Sequence, residues 1–190
     1  MCWKGIENIM ISNISYKLST FADYSNISYT SENMMKVMRA FEGLELLPGI
    51  AQEISADGNT SRRIQLTSAN GALTITVYSN RMDAEITSLE KTGFSENEKE
   101  KLLPELCELI ICMYDEFKQI MPIPNRLAWF TSYVNFELDG EKKKKFREKF
   151  IKPTHFYESN LTDEFMVRYA GREDVKINES EEKMNFITTI

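Results

Sequence analysis

The chain has 190 residues, 42% of them hydrophobic and 27% charged, a balance that excludes a disordered or fibrous protein and allows one full hydrophobic core. Its formal charge of −6 opposes a phosphate backbone or an anionic membrane surface, so either partner would need a local basic patch. The cysteines are Cys2, Cys107 and Cys112, an odd number with no CxxC pair, which argues against a disulfide framework or a redox motif and points to a reducing, cytoplasmic setting.

The segment 1–12 reads as a disordered leader of little structural weight. It is broken by Lys4, Glu7 and Asn8 and has no apolar run long enough for a signal peptide. No run approaches the length of a membrane span, so no membrane association is expected. Residues 13–190 then read as a single α+β domain without internal repeats.

The stretch "NISYKLSTFADYSNISY" (13–29) suggests one or two irregular strands. Thr30 or Ser31 offers an N-cap to a short helix near 31–42, with the apolar stripe Met34, Val37, Met38, Phe41 and a closing glycine at Gly43. An antiparallel β-meander is expected over about 50–88. Asp57-Gly58 and Asn70-Gly71 supply hairpin turns through easy access to positive φ. Leu73, Ile75 and Val77 alternate with Thr74, Thr76 and Tyr78, and Met82, Ala84 and Ile86 alternate with Asp83, Glu85 and Thr87. This period of two predicts a sheet with one apolar and one polar face.

Ser95 and Glu98 have the spacing of a capping box. Leu102, Leu103, Leu106, Leu109, Ile110, Met113, Phe117 and Ile120 follow at helical spacing. Pro104 predicts a break or kink near N1 of a main helix over 104–121, which should cover the apolar face of the meander. Cys107 and Cys112 read as small buried hydrophobes on that helix. An aromatic strand is expected over 125–138, then a short basic helix with Phe146 and Phe150 inward. Further strands are expected in "DEFMVRYAG", "EDVKI" and the closing "MNFITTI".

No motif fixes a reaction, and no cofactor or metal is implied: GxSxG, GxGxxG and GxxxxGK[ST] are all absent from the sequence. His155 is the one histidine, and with two separated helical cysteines it does not make the three- or four-ligand set that a zinc site needs. The dispersed candidates for a catalytic site are Asp83, Glu85, Arg126, Tyr133 and His155. Asp83 and Glu85 share one strand face about 7 Å apart, a spacing that could serve a cation or acid–base work but more commonly marks a solvated surface. Lys142, Lys143, Lys144 and Lys145, with Arg147, Lys149 and Lys152, place seven positive charges within eleven residues. Glu141 and Glu148 interleave that run, so it reads first as a solvated helix and only second as a contact for an acidic partner or nucleic acid.

These features point to a non-catalytic interaction or assembly protein of inhibitor, immunity or defence-accessory type, with a protein partner or self-association. The alternatives are a small enzyme with a dispersed carboxylate, Tyr and Arg site, and nucleic-acid contact through 142–152. "MNFITTI" raises an edge-strand hazard. It is met by pairing inside the chain's own sheet, by pairing with another protein through Phe186, Ile187 and Ile190, or by continuation of the chain beyond its last residue.

Overall fold

The computed structural model describes residues 11–42, 44–89, 94–135, 140, 141, 144, 145, 148, 166, 168–177 and 179–189. The fold is α+β, with a mostly antiparallel sheet architecture and, among the described residues, helices of 10 and 22 residues. The chain divides into two compact units, Met1–Phe136 and Glu137–Ile190.

The first unit holds a six-stranded sheet built from β1 (Ile11–Phe21), β2 (Leu46–Ile54), β3 (Thr60–Ser68), β4 (Leu73–Val77), β5 (Arg81–Thr87) and β6 (Arg126–Asn135), in the order β2-β3-β4-β5-β1-β6. Every neighbouring pair is antiparallel. The meander is therefore present as four consecutive strands. The glycines alone take positive φ in its first two turns, 82° at Gly58 and 77° at Gly71. Asp57 and Asn70 do a different job from the one expected: their side chains accept from Ser55 and Asn59, and from Ser68 and Ala72, and so cap the turns.

The region 13–29 is one strand followed by a loop. β1 ends at Phe21, and Tyr24 and Ile27 beyond it are fully buried. The Tyr24 hydroxyl hydrogen-bonds Thr20 at 2.8 Å, and burial raises its pKa against that bond. Helix α1 (Ser31–Ala40) starts on Thr30, whose side chain accepts from the Asn33 N–H. The buried Asn33 Nδ2 in turn donates to the Ser28 carbonyl at 2.9 Å, fastening helix to loop.

Helix α2 (Glu96–Phe117) carries the expected capping box at Ser95 and Glu98. It does not break at Pro104, which lies inside a continuous helix. Pro104 and Glu100, the residue whose carbonyl loses its amide partner there, are both exposed. The buried stripe is Leu102, Leu106, Leu109, Met113 and Phe117. Leu103 and Ile120, expected in that stripe, are exposed, as is Cys112, while Cys107 is half-buried; both thiols are free. A helical step of five positions turns Cys112 off the face that holds its neighbours.

Both helices lie on one face of the sheet, with α2 over β1 and β5 and α1 against α2 and β2. Beneath them sit Leu18, Ile64, Leu66, Ile75, Val77, Met82 and Ala84. The register makes these one continuous side: Leu66 faces Ile75, Ile75 faces Ala84, and Ala84 faces Leu18. The edge strand β2 carries Pro48, which cannot donate to a further strand.

In the second unit, Gly140, Glu141, Lys144, Lys145 and Glu148 have helical backbone. Where three separate strands were expected there are two long ones, β7 (Arg168–Ile177) and β8 (Ser180–Thr189), paired from Arg168↔Thr189 to Ile177↔Ser180. The charged runs between the apolar stretches disguise their continuity, because a two-stranded ribbon tolerates charge on a wet face. "MNFITT" is thus the second half of β8, paired to β7 along one side.

Candidate functional site

The polar face of the six-stranded sheet is assembled from rows that cross five strands. One row runs Gln65, Thr76, Asp83, Ser19 and Ala128 from β3 to β6. The next runs Thr67, Thr74, Glu85, Lys17 and Phe130. Alternation sends these side chains away from the helices. They form a recess of about 320 Å³, lined by Lys17, Gln65, Thr74, Thr76, Tyr78, Arg81, Asp83, Glu85 and Thr87.

Asp83 is not a solvated surface residue. It is buried on a central strand, where its carboxylate accepts from Ser19 Oγ at 2.6 Å and from Arg81 Nε at 3.0 Å. The Arg81 guanidinium also lies 4.4 Å from the centre of the Tyr78 ring. Burial works against the charge of Arg81, and Asp83 outweighs it through a hydrogen bond and its charge, raising the pKa. Asp83 and Arg81 therefore neutralise one another. Gln65 Nε2 donates to Thr76 Oγ1 at 3.2 Å and ties β3 to β4 beside them.

Glu85 and Lys17 are different. They face each other directly across β5 and β1. No ion pair joins them: the Lys17 ammonium sits 4.9 Å from the centre of the Phe130 ring. Among the described residues, no hydrogen bond or ion pair engages Glu85, which is half-buried. The recess holds two cations, Lys17 and Arg81, and two anions, Asp83 and Glu85, so it has no net charge.

A second polar cluster lies toward the β2 edge of the same face. The Glu53 carboxylate accepts from Arg63 Nε at 2.6 Å, from the Ser79 N–H at 3.1 Å and from Ser79 Oγ at 2.7 Å. Burial opposes its charge, but the bonds from Ser79 and Arg63 hold its pKa below the ordinary glutamate value. With every lone-pair direction taken, this group fastens the β4–β5 turn to the β2–β3 hairpin.

Of the five residues proposed for a catalytic site, the recess brings together Asp83 and Glu85. Arg126 lies apart, stacked 3.7 Å over the Phe21 ring beside an open depression lined also by Asp23, Ser79 and Asn125. The Tyr133 side chain and His155 lie outside the described residues, as do Lys142, Lys143 and Ile190. Lys144, Lys145, Phe186 and Ile187 are exposed. The sequence reading missed Lys17, Gln65 and Arg81. Alternation marks which face each would share within its strand, but only the pairing of β1 with β5 and of β3 with β4 sets them beside the carboxylates.

Among the described residues, no group of three His, Cys, Asp or Glu side chains is placed to hold a metal ion. Among the same residues, no helix is long and apolar enough to cross a membrane. No protein-family model matches the chain, and comparison with curated proteins found no significant relative.

Proposed function

We propose that this chain is a non-catalytic assembly protein of the cytosol and that it associates with a second copy of itself through the β7–β8 hairpin. The observation that carries the reading is the exposure of that hairpin. All ten residues of β8 are exposed, among them Met184, Phe186 and Ile187, and Tyr169 of β7 is exposed as well. The register puts Tyr169, Val175, Met184 and Phe186 on one face together with Glu173 and Glu182, and Arg168, Arg172, Asp174, Lys176, Glu181, Lys183 and Ile187 on the other. A two-stranded ribbon is marginal by itself and gains most from covering its apolar side.

A second copy suits the hairpin as a whole on charge. Residues 168–189 hold four cations (Arg168, Arg172, Lys176, Lys183) and five anions (Glu173, Asp174, Glu179, Glu181, Glu182), a difference of −1 within a chain of −6. The hairpin as a whole is nearly neutral, while the face of Met184 and Phe186 carries Glu173 and Glu182, and a two-fold contact makes one patch serve both copies. The free thiol exposed at Cys112 suits a reducing compartment.

Light scattering during size exclusion tests the reading. The wild type is expected to run as a dimer or larger, and Phe186→Asp with Met184→Asp to run as a folded monomer. A wild type that stays monomeric at about 100 μM, well above the micromolar range of ordinary association, removes it. Steeply salt-dependent retention of an oligonucleotide would favour the basic segment 142–152 instead.

A further inference from the structure

We propose that the recess on the polar sheet face binds a small zwitterion, an α-amino acid, with its ammonium on Glu85 and its carboxylate on Lys17. The proposal does not depend on the hairpin or on self-association.

Opposite charges that face each other across an antiparallel pair ordinarily close on one another. Here they are held apart. Lys17 is drawn to Phe130 on the next strand, 4.9 Å from the ring centre, and Glu85 is left without a partner among the described residues. The two side chains stand opposite each other without closing into an ion pair, so both charged ends remain for an ammonium and a carboxylate carried on one carbon. The hydroxyl of Thr74, beside Glu85 on β4, and that of Thr87, two residues along β5, add neutral hydrogen-bonding groups to the lining.

The rest of the lining narrows the ligand class. Asp83 and Arg81 satisfy each other, so neither adds net charge for an incoming ion. A nucleotide or phosphate needs an excess of positive charge, and this recess has none. A sugar usually stacks on an open aromatic ring, but the Tyr78 ring is covered by the Arg81 guanidinium. At about 320 Å³ the recess lies at the lower end of ligand pockets, which suits a molecule of amino-acid size.

The test is a thermal-shift and calorimetric titration of the full chain with each of the common L-amino acids. The N-acetyl and methyl-ester derivatives of any binder and a panel of neutral sugars serve as controls. At least one amino acid is expected to bind and raise the melting temperature, and both capped derivatives are expected to lose the effect. Glu85→Gln and Lys17→Met should each weaken binding about tenfold or more, as expected for loss of one charge-assisted contact. The proposal is overturned by no binding at about 10 mM, weaker than any specific site of this kind. It is also overturned by capped derivatives that bind as well as the parent, by variants that keep full affinity, or by a sugar that binds in place of the amino acids. If a variant fails to fold, the capped derivatives decide the matter on the wild type.

Discussion

The β4–β5 and β7–β8 hairpins are built on the same alternation and have opposite surroundings. In β4–β5, Ile75, Val77, Met82 and Ala84 lie buried beneath the helices. In β7–β8, Tyr169, Met184 and Phe186 likewise share a face, together with Glu173 and Glu182, and are exposed. Alternation makes a face, but it does not supply what covers it. β4–β5 has strands on both sides, β3 and β1, and α2 packed on its apolar side. β7 and β8 form a separate sheet of two. The first hairpin therefore belongs to the stability of the molecule, and the second leaves apolar side chains exposed.

The sharpest way to break this comparison is to place a charge in each apolar row. Ile75→Asp puts an unpaired carboxylate at a position 2% exposed. It is expected to cost several kcal/mol and to abolish cooperative melting. A variant that melts like the wild type would show that the buried row lies elsewhere.

A smaller effect is expected at the link between the two hairpins of the meander. Glu53→Gln weakens the bonds to Arg63 and Ser79 and should cost about 1–3 kcal/mol at neutral pH. Because the folded Glu53 carboxyl is held below its ordinary value, its stabilising contribution is complete above the normal glutamate range. The contribution is lost as pH falls through the depressed folded value. Melting curves taken through the acid range should therefore decline less steeply for Glu53→Gln than for the wild type. Parallel pH profiles would show that this cluster does not link the hairpins energetically.

Ser95→Ala removes the N-cap of the helix that covers β5 and β1, and is expected to cost about 1 kcal/mol by chemical denaturation. Smallest of all should be Phe186→Asp, measured as the melting of the first unit in dilute solution. It is expected to leave that transition in place, since Phe186 is 52% exposed on the other sheet. A large loss there would mean that the C-terminal hairpin is part of the main core after all.

The chemistry of individual residues and the strict periods settled much of this fold from the sequence alone. Gly58 and Gly71 mark turns because glycine reaches positive φ without a steric penalty. Thr30 and Ser95 mark helix starts because their oxygens accept from unpaired amides. Leu73, Ile75 and Val77 share a face because the strand period is two. Only the tertiary structure decided that β1 leaves its place in chain order to sit between β5 and β6, because nothing local specifies which distant strand offers the free edge. That single pairing sets Ser19 against Asp83 and Lys17 against Glu85, and so creates the recess. It also explains why Asp83 reads as a surface residue in its own strand and is buried in the fold. Tertiary structure likewise decided that Pro104 stays within α2, on a turn where Pro104 and Glu100 are both exposed. Burial is a property of neighbours, and a sequence names the neighbours along the chain but not those across it.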